Sequence, residues 1–484
     1  MTHVLRVTLG WFGWGVFWYF LLLNSWYLVL IVVAAYDAVE HFRALPFGGY
    51  EDIFSSPLTP GVTVVVPARN EEKDIVDSVR ALLALRYPEL EIIVVDDGST
   101  DETFAVLRDA FALEPVSRVI APELVTYGEV LSVHAPADDA PLVVIRKTGT
   151  GRRADANNVG INAARQPLVC FIDADAVLDE LALLRVVKPF VDDPERVVAS
   201  GGSVRAANGC VVDAGRVVDV RMPRRWLERI QVVEYLRSFL LGRAGWSRLH
   251  SLLIISGAFG LFRRDVLVEV GGFDPACIGE DAEMVARIHR RLREQHRAYD
   301  IVFVAEPVCW TEVPRTRSTL ATQRRRWSTG LVEVLWTHRR MIGNPRYGRI
   351  GLGVLPYFVL FEMLGAVVEV VGVGAMVAGL ALGLVNVAFA LLLTTVAVGY
   401  GVLLSVLALA VEEFSYRRYR SWGDLARAVA AACIENVGYR QLHAWWRLQG
   451  LLGVVRRDPS EWLALPRSGF RARTAPDEAV TTTP

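Results

Sequence analysis

Two aspartates with one residue between them follow a short apolar run in the middle of the chain. Asp173 and Asp175 come directly after Leu168–Ile172, whose length and composition are typical of a buried strand. Carboxylate oxygens are the ligands that hard divalent cations prefer, and such sites often use one or two carboxylates together with substrate phosphates. The pair therefore predicts a shared divalent cation that would hold a diphosphate.

Polar residues also follow the first two predicted strands. The first strand runs into Pro67, Arg69 and Glu71, and the second runs into Asp97. Ligands of parallel sheets bind at the carboxyl ends of the strands, where these groups could hold a base or a ribose. Acidic turns and helix N-caps explain the same residues equally well. Both interpretations stay open at this point.

A third acidic motif stands at the start of a helix. Glu280 and Asp281 precede an amphipathic helix predicted over residues 282–292. A carboxylate at a helix start is commonly a cap that interacts favourably with the helix dipole. The functional alternative is a general base that takes a proton from an acceptor hydroxyl.

Three consecutive arginines stand between an amide and an indole further along the chain. The segment comprises Gln323, Arg324, Arg325, Arg326 and Trp327. Charge alone would fit a solvated or membrane-facing basic surface. A leaving diphosphate, however, needs fixed positive donors, which guanidinium groups supply bidentately, and an indole face suits a sugar ring. This segment is therefore a candidate for binding diphosphate and sugar.

Residues 149–154 match a glycine-rich dinucleotide fingerprint, and an acidic residue lies about 20 positions further on. In that fingerprint the first glycine follows the strand directly and the unit opens its domain. Here Lys147 and its neighbours intervene, and two strand–helix units come first. The basic Lys147 and Arg153 indicate direct phosphate contact, so nicotinamide or flavin binding is disfavoured.

The region that carries these groups alternates short β-branched runs with helical segments. Such alternation predicts an α/β fold with a mostly parallel sheet covered on both faces. The predicted strands are residues 62–66, 92–95, 142–145 and 168–172, and the predicted helices are residues 72–85 and 152–164.

Apolar and amphipathic segments flank this region. Residues 11–36 have tryptophan and tyrosine near both ends and the length of one membrane crossing. Residues 357–411 are about twice as long as one crossing needs, with Asn386 near the middle, and predict two helices joined by a tight turn. Residues 422–455 carry charges among leucine, alanine and tryptophan, which favours an interfacial helix over a further crossing.

Basic residues set the predicted orientation. Residues 339–349 and 416–420 are rich in arginine, as is the tail around Arg456, so both ends of the hairpin should face the cytoplasm. We expect a multi-pass protein of the cell (inner) membrane, in contact with membrane lipids, whose middle region is cytoplasmic. The predicted domains are a transmembrane helix (1–45), an α/β domain (46–350), a transmembrane hairpin (351–415), and an interfacial helix with a disordered tail (416–484).

Composition excludes other classes of protein. Hydrophobic residues make up 52% of the 484 residues, which favours an integral membrane protein. A formal net charge of −1 gives no electrostatic argument for nucleic acid, and no such partner is expected. The five cysteines contain no CxxC pair, which speaks against a zinc module or a disulfide framework.

The ordered series of Asp97, Asp173 with Asp175, Asp281 and residues 323–327, placed between membrane segments, is highly specific. It resembles the membrane-embedded, processive family 2 glycosyltransferases, which include hyaluronan, chitin, cellulose and poly-N-acetylglucosamine synthases. The resemblance covers residues 10–450 and implies a GT-A fold. It also implies inverting transfer from a UDP-sugar, for which one base and an assisted leaving group suffice.

The resemblance implies a role for each motif. Asp173 and Asp175 would bind Mg²⁺ or Mn²⁺, and Asp281, beside Glu280, would deprotonate the acceptor. Asp97 would contact the nucleotide. Further substrate contacts would come from Gln323 and Arg326 to the diphosphate, from Trp327 to the acceptor sugar, and from the loop 256–260, which includes Phe259.

The chain departs from the family pattern in places. Arg153 stands where many members have lysine, which weakens the expected phosphate contact, and Gly279 begins a motif that often begins with threonine. No cyclic-dinucleotide receptor domain is visible after Arg457. Regulation by that route would require a separate accessory subunit.

Two acids lie within the first helix of the predicted hairpin. Glu362 and Glu369 are two turns apart and share one face, and acids at such depth usually face a polar cavity. We hypothesise that they line a polymer-conducting path. The alternative is that they lie near the cytoplasmic interface or pair with arginines of the interfacial helix.

We predict processive synthesis of a β-linked polysaccharide from a UDP-hexose or UDP-N-acetylhexosamine, with UDP-GlcNAc slightly favoured and translocation through the same chain. The first alternative is a single addition to a lipid acceptor, because ceramide glucosyltransferases are similar in these motifs. The second is a non-catalytic membrane scaffold or transporter that binds nucleotide sugar without turnover.

Overall fold

A ten-stranded mixed sheet forms the middle of the chain. The computed structural model describes residues 2–44, 49–213, 216–416 and 421–456. A separate hairpin of β9 and β10 lies beside the large sheet. The strands are β1 (Val62–Ala68), β2 (Leu90–Asp97), β3 (Leu113–Pro115), β4 (Val130–Pro136), β5 (Leu142–Lys147), β6 (Leu168–Ile172), β7 (Val177–Leu178), β8 (Val197–Ala206), β9 (Val211–Asp213), β10 (Arg216–Asp219), β11 (Phe259–Arg263) and β12 (Asp300–Thr311).

The centre of the large sheet is parallel. Its strand order is β3-β4-β5-β2-β1-β6-β11-β8-β12-β7. Strands β5, β2, β1 and β6 pair in parallel, β11 runs antiparallel between β6 and β8, and β8 pairs in parallel with β12. The predicted α/β fold with a mostly parallel sheet is confirmed, and the polar loops after β5, β2, β1 and β6 meet at one edge.

Helices cover the sheet and form the candidate membrane spans. A π-helical segment, Arg237–Arg243, joins two of them. The α-helices are α1 (Thr2–Ala44), α2 (Tyr50–Ser55), α3 (Ile75–Leu83), α4 (Thr103–Phe111), α5 (Arg153–Ala163), α6 (Ala182–Asp192), α7 (Trp226–Leu236), α8 (Ala244–Arg248), α9 (Arg264–Glu269), α10 (Glu280–Glu294), α11 (Arg317–Thr337), α12 (Leu355–Tyr357), α13 (Gly365–Ala381), α14 (Val387–Thr394), α15 (Tyr400–Tyr416), α16 (Trp422–Ile434) and α17 (Arg440–Arg456).

Buried apolar residues fix the position of the functional loops. Strands β1, β2 and β6 are β-branched on both faces and almost wholly buried, as expected for parallel strands covered by helices. Helix α5 is buried along nearly its whole length. Its Asn158 side chain exchanges two hydrogen bonds with the backbone of Phe273, at 2.9 and 2.7 Å. The loop that leads to α10 is therefore anchored on α5.

Three helical stretches are long and apolar enough to cross a membrane, namely His3–Glu40, Ile350–Ala381 and Val387–Ser415. The predicted hairpin is thus present, and its second helix begins at Asn386, whose side chain accepts from the backbone N–H of Ala388 at 2.8 Å. Helix α1 exceeds the predicted span at both ends because polar residues continue the helix there. It packs on α8, where a Cβ on Gly245 would lie 2.9 Å from the Leu30 carbonyl oxygen.

The predicted interfacial segment is two helices rather than one. Val437 and Gly438 have non-helical backbone angles between α16 and α17, and Gly438 has φ of 83°, which glycine adopts readily. Helix α17 lies along α11, where Gly450 leaves room for close approach to the backbone of Arg325. Most of the predicted basic stretch, residues 417–420, and the polar tail after residue 456 lie outside the described residues.

Candidate active site

A closed cluster of charges lies at the ends of β2 and β5. Asp97, the last residue of β2, accepts a hydrogen bond from the ammonium of Lys147. The backbone N–H groups of Thr150 and Gly151 donate to the same carboxylate at 3.0 and 2.9 Å. Lys147 also pairs with Asp155 of α5 at 2.9 Å. The three charged side chains are at most 6% exposed, so their charges mainly satisfy one another.

The ionisation of Asp155 supports this description of the cluster. Burial alone would raise the pKa of Asp155, but hydrogen bonds from the backbone N–H groups of Tyr127 and Gly128 and from the Lys147 ammonium hold it below its usual value. The acid therefore stays charged opposite Lys147. In this conformation Lys147 faces the two carboxylates instead of open solvent, and its predicted phosphate contact stays a prediction.

The loops after β1 and β2 form one surface beside this cluster. Pro67, Arg69 and Glu71 are each partly exposed there. The backbone N–H of Asn70 donates to the Ser99 hydroxyl at 3.0 Å, which joins the two loops. This surface is where the sequence predicted nucleotide contacts, and it lies at the carboxyl edge of the sheet as expected.

Asp173 and Asp175 occupy the turn after β6. The Asp173 carbonyl accepts from the backbone N–H of Ala176 at 3.0 Å, which closes the turn. The Asp173 side chain is 27% exposed and pairs with Arg153 at 2.7 Å, while Asp175 is buried. The two predicted metal-binding carboxylates therefore start from one short turn, with Asp173 on the accessible side.

The chemistry of these two acids fits a hard divalent cation. Both offer only carboxylate oxygens, which Mg²⁺ and Mn²⁺ accept readily. Across the described ranges, no group of three or more His, Cys, Asp or Glu side chains is arranged to hold a metal ion. That agrees with Mg²⁺-type sites, in which one or two carboxylates act with waters and substrate phosphates.

Glu280 and Asp281 begin α10 and line the same cavity as Asp173. Asp281 Oδ2 accepts from the backbone N–H of Gly257 at 3.1 Å, and its Oδ1 accepts from its neighbour Ala282 at 2.8 Å. Burial raises the pKa of Glu280 to about 7, against the nearby charge of Arg153. Asp281 is thus held by a backbone N–H from the predicted acceptor loop and is only partly buried.

Helix α11 carries the basic motif and presents its residues in two directions. Arg324 is buried and pairs with Glu234 of α7 at 2.8 Å, with its guanidinium 4.4 Å from the centre of the Trp327 ring. Arg326 has no ion pair or hydrogen bond among the residues that the structure describes. Trp327 is 46% exposed. Arg326 and Trp327 are thus available to a ligand, whereas the Arg324 charge is already balanced.

A cavity of about 910 Å³ connects these elements with helices of the candidate membrane spans. Its walls bring together most of the predicted catalytic and diphosphate-binding residues. It reaches Tyr19 and Tyr27 of α1 and the start of the hairpin. The predicted residues in its walls are Arg153, Asp173, Glu280, Asp281, Gln323, Arg324, Arg326 and Trp327.

Other predicted residues lie outside the cavity walls. Phe259 is 1% exposed within β11 because it points into the core, so Ser256, Gly257 and Ala258 line the cavity in its place. Its expected contact with the acceptor stays a prediction. The remaining predicted residues away from the walls are Pro67, Arg69, Glu71, Asp97, Lys147 and Asp175.

Arg243 is a cavity residue that the sequence did not single out. Its guanidinium lies 3.7 Å from the Phe239 ring centre, and its Nη1 is buried without a hydrogen-bond partner among the described residues. Burial lowers the pKa of Arg243 to about 10, partly offset by Asp281. An arginine inside an otherwise apolar helical run was the only available signal.

Glu362 and Glu369 fit both interpretations offered for them. They line the cavity, as the path hypothesis requires. They also pair with arginines of α17, Glu362 with Arg447 at 3.3 Å and Glu369 with Arg440 at 3.2 Å. The cavity wall at this depth is therefore a row of ion pairs.

Two curated proteins are similar to part of this chain. Poly-beta-1,6-N-acetyl-D-glucosamine synthase of Staphylococcus epidermidis is 28% identical over 275 residues, which are 57% of this chain and 55% of the relative. The synthase of the same name from Staphylococcus aureus is 26% identical over the same shares. The chain thus spans about half the length of the curated relatives it matches.

A solved structure and a protein family also match. The mannosyltransferase PcManGT from Pyrobaculum calidifontis, solved with GDP-Man and Mn²⁺, has 22% sequence identity and a TM-score of 0.49, covering 85% of this chain and 99% of that one. The family described as "Glycosyltransferase like family 2" matches residues 60–330, more than half of the chain. The protein therefore belongs to glycosyltransferase family 2 and is a glycosyltransferase.

Proposed function

We propose that this glycosyltransferase transfers a sugar from a UDP-sugar, with inversion, to a growing β-linked polysaccharide. The observation that carries the proposal is the single cavity that joins Asp173 and Asp281 to the membrane helices. A donor held at Asp173 and an acceptor approaching along the cavity would meet beside Asp281. UDP-GlcNAc is the first candidate donor, because the relatives named above are poly-N-acetylglucosamine synthases.

Each cavity residue has a role in this reaction. Asp281 takes the proton from the acceptor hydroxyl, and the Gly257 N–H, at 3.1 Å, keeps its carboxylate pointed toward the acceptor loop. Arg326 and Gln323 bind the diphosphate as negative charge develops on it. Trp327 offers an exposed face to the acceptor ring. Nucleotide contacts come from the loop surface that includes Arg69 and Glu71, which lies beside the buried Asp97 cluster.

The reaction is proposed to depend on Mg²⁺ or Mn²⁺. Asp173 and Asp175 would hold the cation, for which their carboxylates fit. When bound, such a cation neutralises charge on a leaving diphosphate. The protein itself contributes the placement of the two acids at one turn after a rigid, buried strand.

Processive synthesis and export through the same chain form part of the proposal. The cavity is continuous between the acid cluster and residues of α1 and the hairpin, and the ion pairs of Glu362 and Glu369 give its wall polar groups suited to sugar hydroxyls. Three candidate spans and a basic segment before the hairpin support a multi-pass membrane protein with its active site on the cytoplasmic side.

Turnover by the purified protein in nanodiscs tests this function. We expect UDP release with a UDP-N-acetylhexosamine and Mn²⁺, together with a ladder or high-mass product. Asp281→Asn, which preserves shape but removes the base, is the matched control and should release UDP at background level. UDP release that does not exceed this control for any UDP-sugar would contradict the proposal and favour a nucleotide-sugar-binding scaffold.

A single addition to a lipid is the second candidate. It is favoured by the place where the cavity ends, among aromatic residues of the membrane helices such as Tyr19 and Phe361. A lipid-borne hydroxyl could reach Asp281 by that route. Product mass distinguishes the two candidates. A single addition gives one glycolipid, whereas polysaccharide synthesis gives a ladder or a high-mass product.

A further inference from the structure

Arg153 contacts the metal-binding turn, the acceptor loop and the base-carrying helix at once. Its Nη2 lies 2.7 Å from Asp173 Oδ1 and also donates to the Gly257 carbonyl. Its Nη1 lies 3.7 Å from Glu280 Oε1. The N–H of the same Gly257 holds Asp281. One guanidinium therefore connects the donor side of the proposed site, at Asp173, with its acceptor side, at Gly257 and Glu280.

The shape of arginine makes this triple contact possible. A guanidinium is planar and presents several N–H donors in a fixed fork, whereas a lysine ammonium is a single point on a flexible stem. The contact is close, because a Cβ on Gly257 would lie 2.6 Å from Arg153 Nη1. A glycine in the acceptor loop and an arginine at the start of α5 thus fit together.

Electrostatics explain why a cation is needed there before any substrate arrives. Asp173, Glu280 and Asp281 all line the same cavity, so their negative charges repel one another. Arg153, with a side chain 15% exposed, supplies positive charge between Asp173 and Glu280. A divalent cation on Asp173 would have to compete with it for the same carboxylate.

We propose that Arg153 is a built-in counter-ion of the metal site. It holds Asp173 in the donor-free enzyme, releases that carboxylate to the divalent cation when the donor binds, and keeps its contacts with Gly257 and Glu280. Arg153 is therefore a positioning residue that couples donor loading to the loop and helix that hold the base. The inference rests on the proposed function, because it requires Asp173 to bind a cation.

Binding of Mn²⁺ without donor tests the competition directly. Mn²⁺ affinity is measured by electron paramagnetic resonance on the full-length protein in nanodiscs, for wild type and Arg153→Met. Loss of the competing charge should tighten donor-free Mn²⁺ binding by about threefold or more. The neighbouring Arg152 is exposed, so Arg152→Met, which makes the same change of charge one residue away, should change it by less than about twofold.

A second variant separates charge from geometry. Arg153→Lys keeps the positive charge, so donor-free Mn²⁺ affinity should stay within about twofold of wild type. The single ammonium nitrogen cannot occupy both the Nη2 position at the Gly257 carbonyl and the Nη1 position near Glu280, so the acceptor loop loses part of its support. The ratio of donor hydrolysis to transfer should rise about fivefold or more, because water replaces a poorly placed acceptor.

Clear results would overturn the inference. Unchanged or weaker donor-free Mn²⁺ binding in Arg153→Met, in protein whose thermal melt matches wild type, contradicts the competition. Absence of Mn²⁺ binding to wild type and variant alike also contradicts it. Failure of the proposed function has a different signature, in which Arg153→Met tightens Mn²⁺ binding as expected while no UDP-sugar is consumed.

Discussion

Helix α5 contributes one residue to each of two charged clusters that differ in what they leave exposed. Asp155 belongs to the closed cluster with Asp97 and Lys147, whose side chains are at most 6% exposed. Arg153 belongs to the open cluster with Asp173, whose side chains are 15% and 27% exposed and face the cavity. At the strand ends of one sheet, buried charges thus stabilise the loops, and partly exposed charges next to them are available to bind a ligand.

Loss of the proposed base, Asp281, should have the largest effect. Asp281 lines the same cavity as the open cluster, so this variant tests whether the reaction takes place there. Asp281→Asn removes the proton acceptor but keeps the size of the side chain, so transfer should fall by about 10³-fold. Binding of UDP, measured by calorimetry, should stay close to wild type. Loss of UDP binding as severe as in Asp175→Ala would instead assign Asp281 to the metal site.

Removing the central charge of the closed cluster should mainly affect folding. Lys147→Met leaves Asp97 and Asp155 buried without their ammonium and should lower the free energy of unfolding by about 3–5 kcal/mol. Urea unfolding followed by tryptophan fluorescence measures it. Arg152, directly before α5, is exposed, so Arg152→Met should cost less than about 1 kcal/mol. If Lys147→Met had the stability of wild type but bound UDP more weakly, Lys147 would act on the ligand and the two clusters would no longer differ in role.

The basic motif of α11 offers a sharper test within a single helix turn. Arg326→Met removes a guanidinium without an internal partner among the described residues, and kcat/KM for the donor should fall roughly 10–100-fold, the equivalent of one charged hydrogen bond. Arg325 is exposed, so Arg325→Met is the matched control and should leave kcat/KM for the donor nearly unchanged. Equal losses in both variants would indicate a general electrostatic effect of the basic surface.

The smallest expected effect concerns the far end of the base-carrying helix. His289 of α10 is buried between the Tyr299 hydroxyl (2.6 Å) and the Leu252 carbonyl (2.8 Å), and burial lowers its pKa to about 4. The unfolded chain binds that proton near pH 6.5, so stability is complete above pH 6.5 and falls as pH drops toward 4. Lowering the pH from 6.5 to 5.5 should cost about 1 kcal/mol.

Denaturant unfolding at several pH values measures this dependence. The His289→Gln variant should lose that part of it, even though its stability at neutral pH is lower. An equal dependence of the free energy of unfolding on pH in wild type and variant would assign that dependence to groups other than His289.

The sequence predicted the strands well because their pattern is local. Residues 168–172 form β6 with the predicted bounds, and the polar loops lie at the predicted edge of the sheet. It could not tell Lys147 from Arg153, since both are basic and close to the same loop. Which carboxylate each one meets depends on how β2, β6 and α10 are placed in space, and that placement is non-local.

Two further differences have the same origin. The break at Gly438 divides the interfacial segment, yet its apolar periodicity continues on both sides. The inward direction of Phe259 follows from the pairing of β11 between β6 and β8. Neither periodicity nor residue type reports such pairings. The motifs therefore predicted residues that line one cavity, whereas the direction of each side chain depends on the fold.

Helix α1 has 43 residues and is therefore about 65 Å long, whereas the hydrocarbon layer is about 30 Å thick. Helix α1 packs directly on α8 at Gly245. A thinner or thicker bilayer changes the tilt of such a helix, and that tilt would be passed on to the walls of the cavity. Lipid chain length is thus a physical variable to which catalysis in this enzyme should respond.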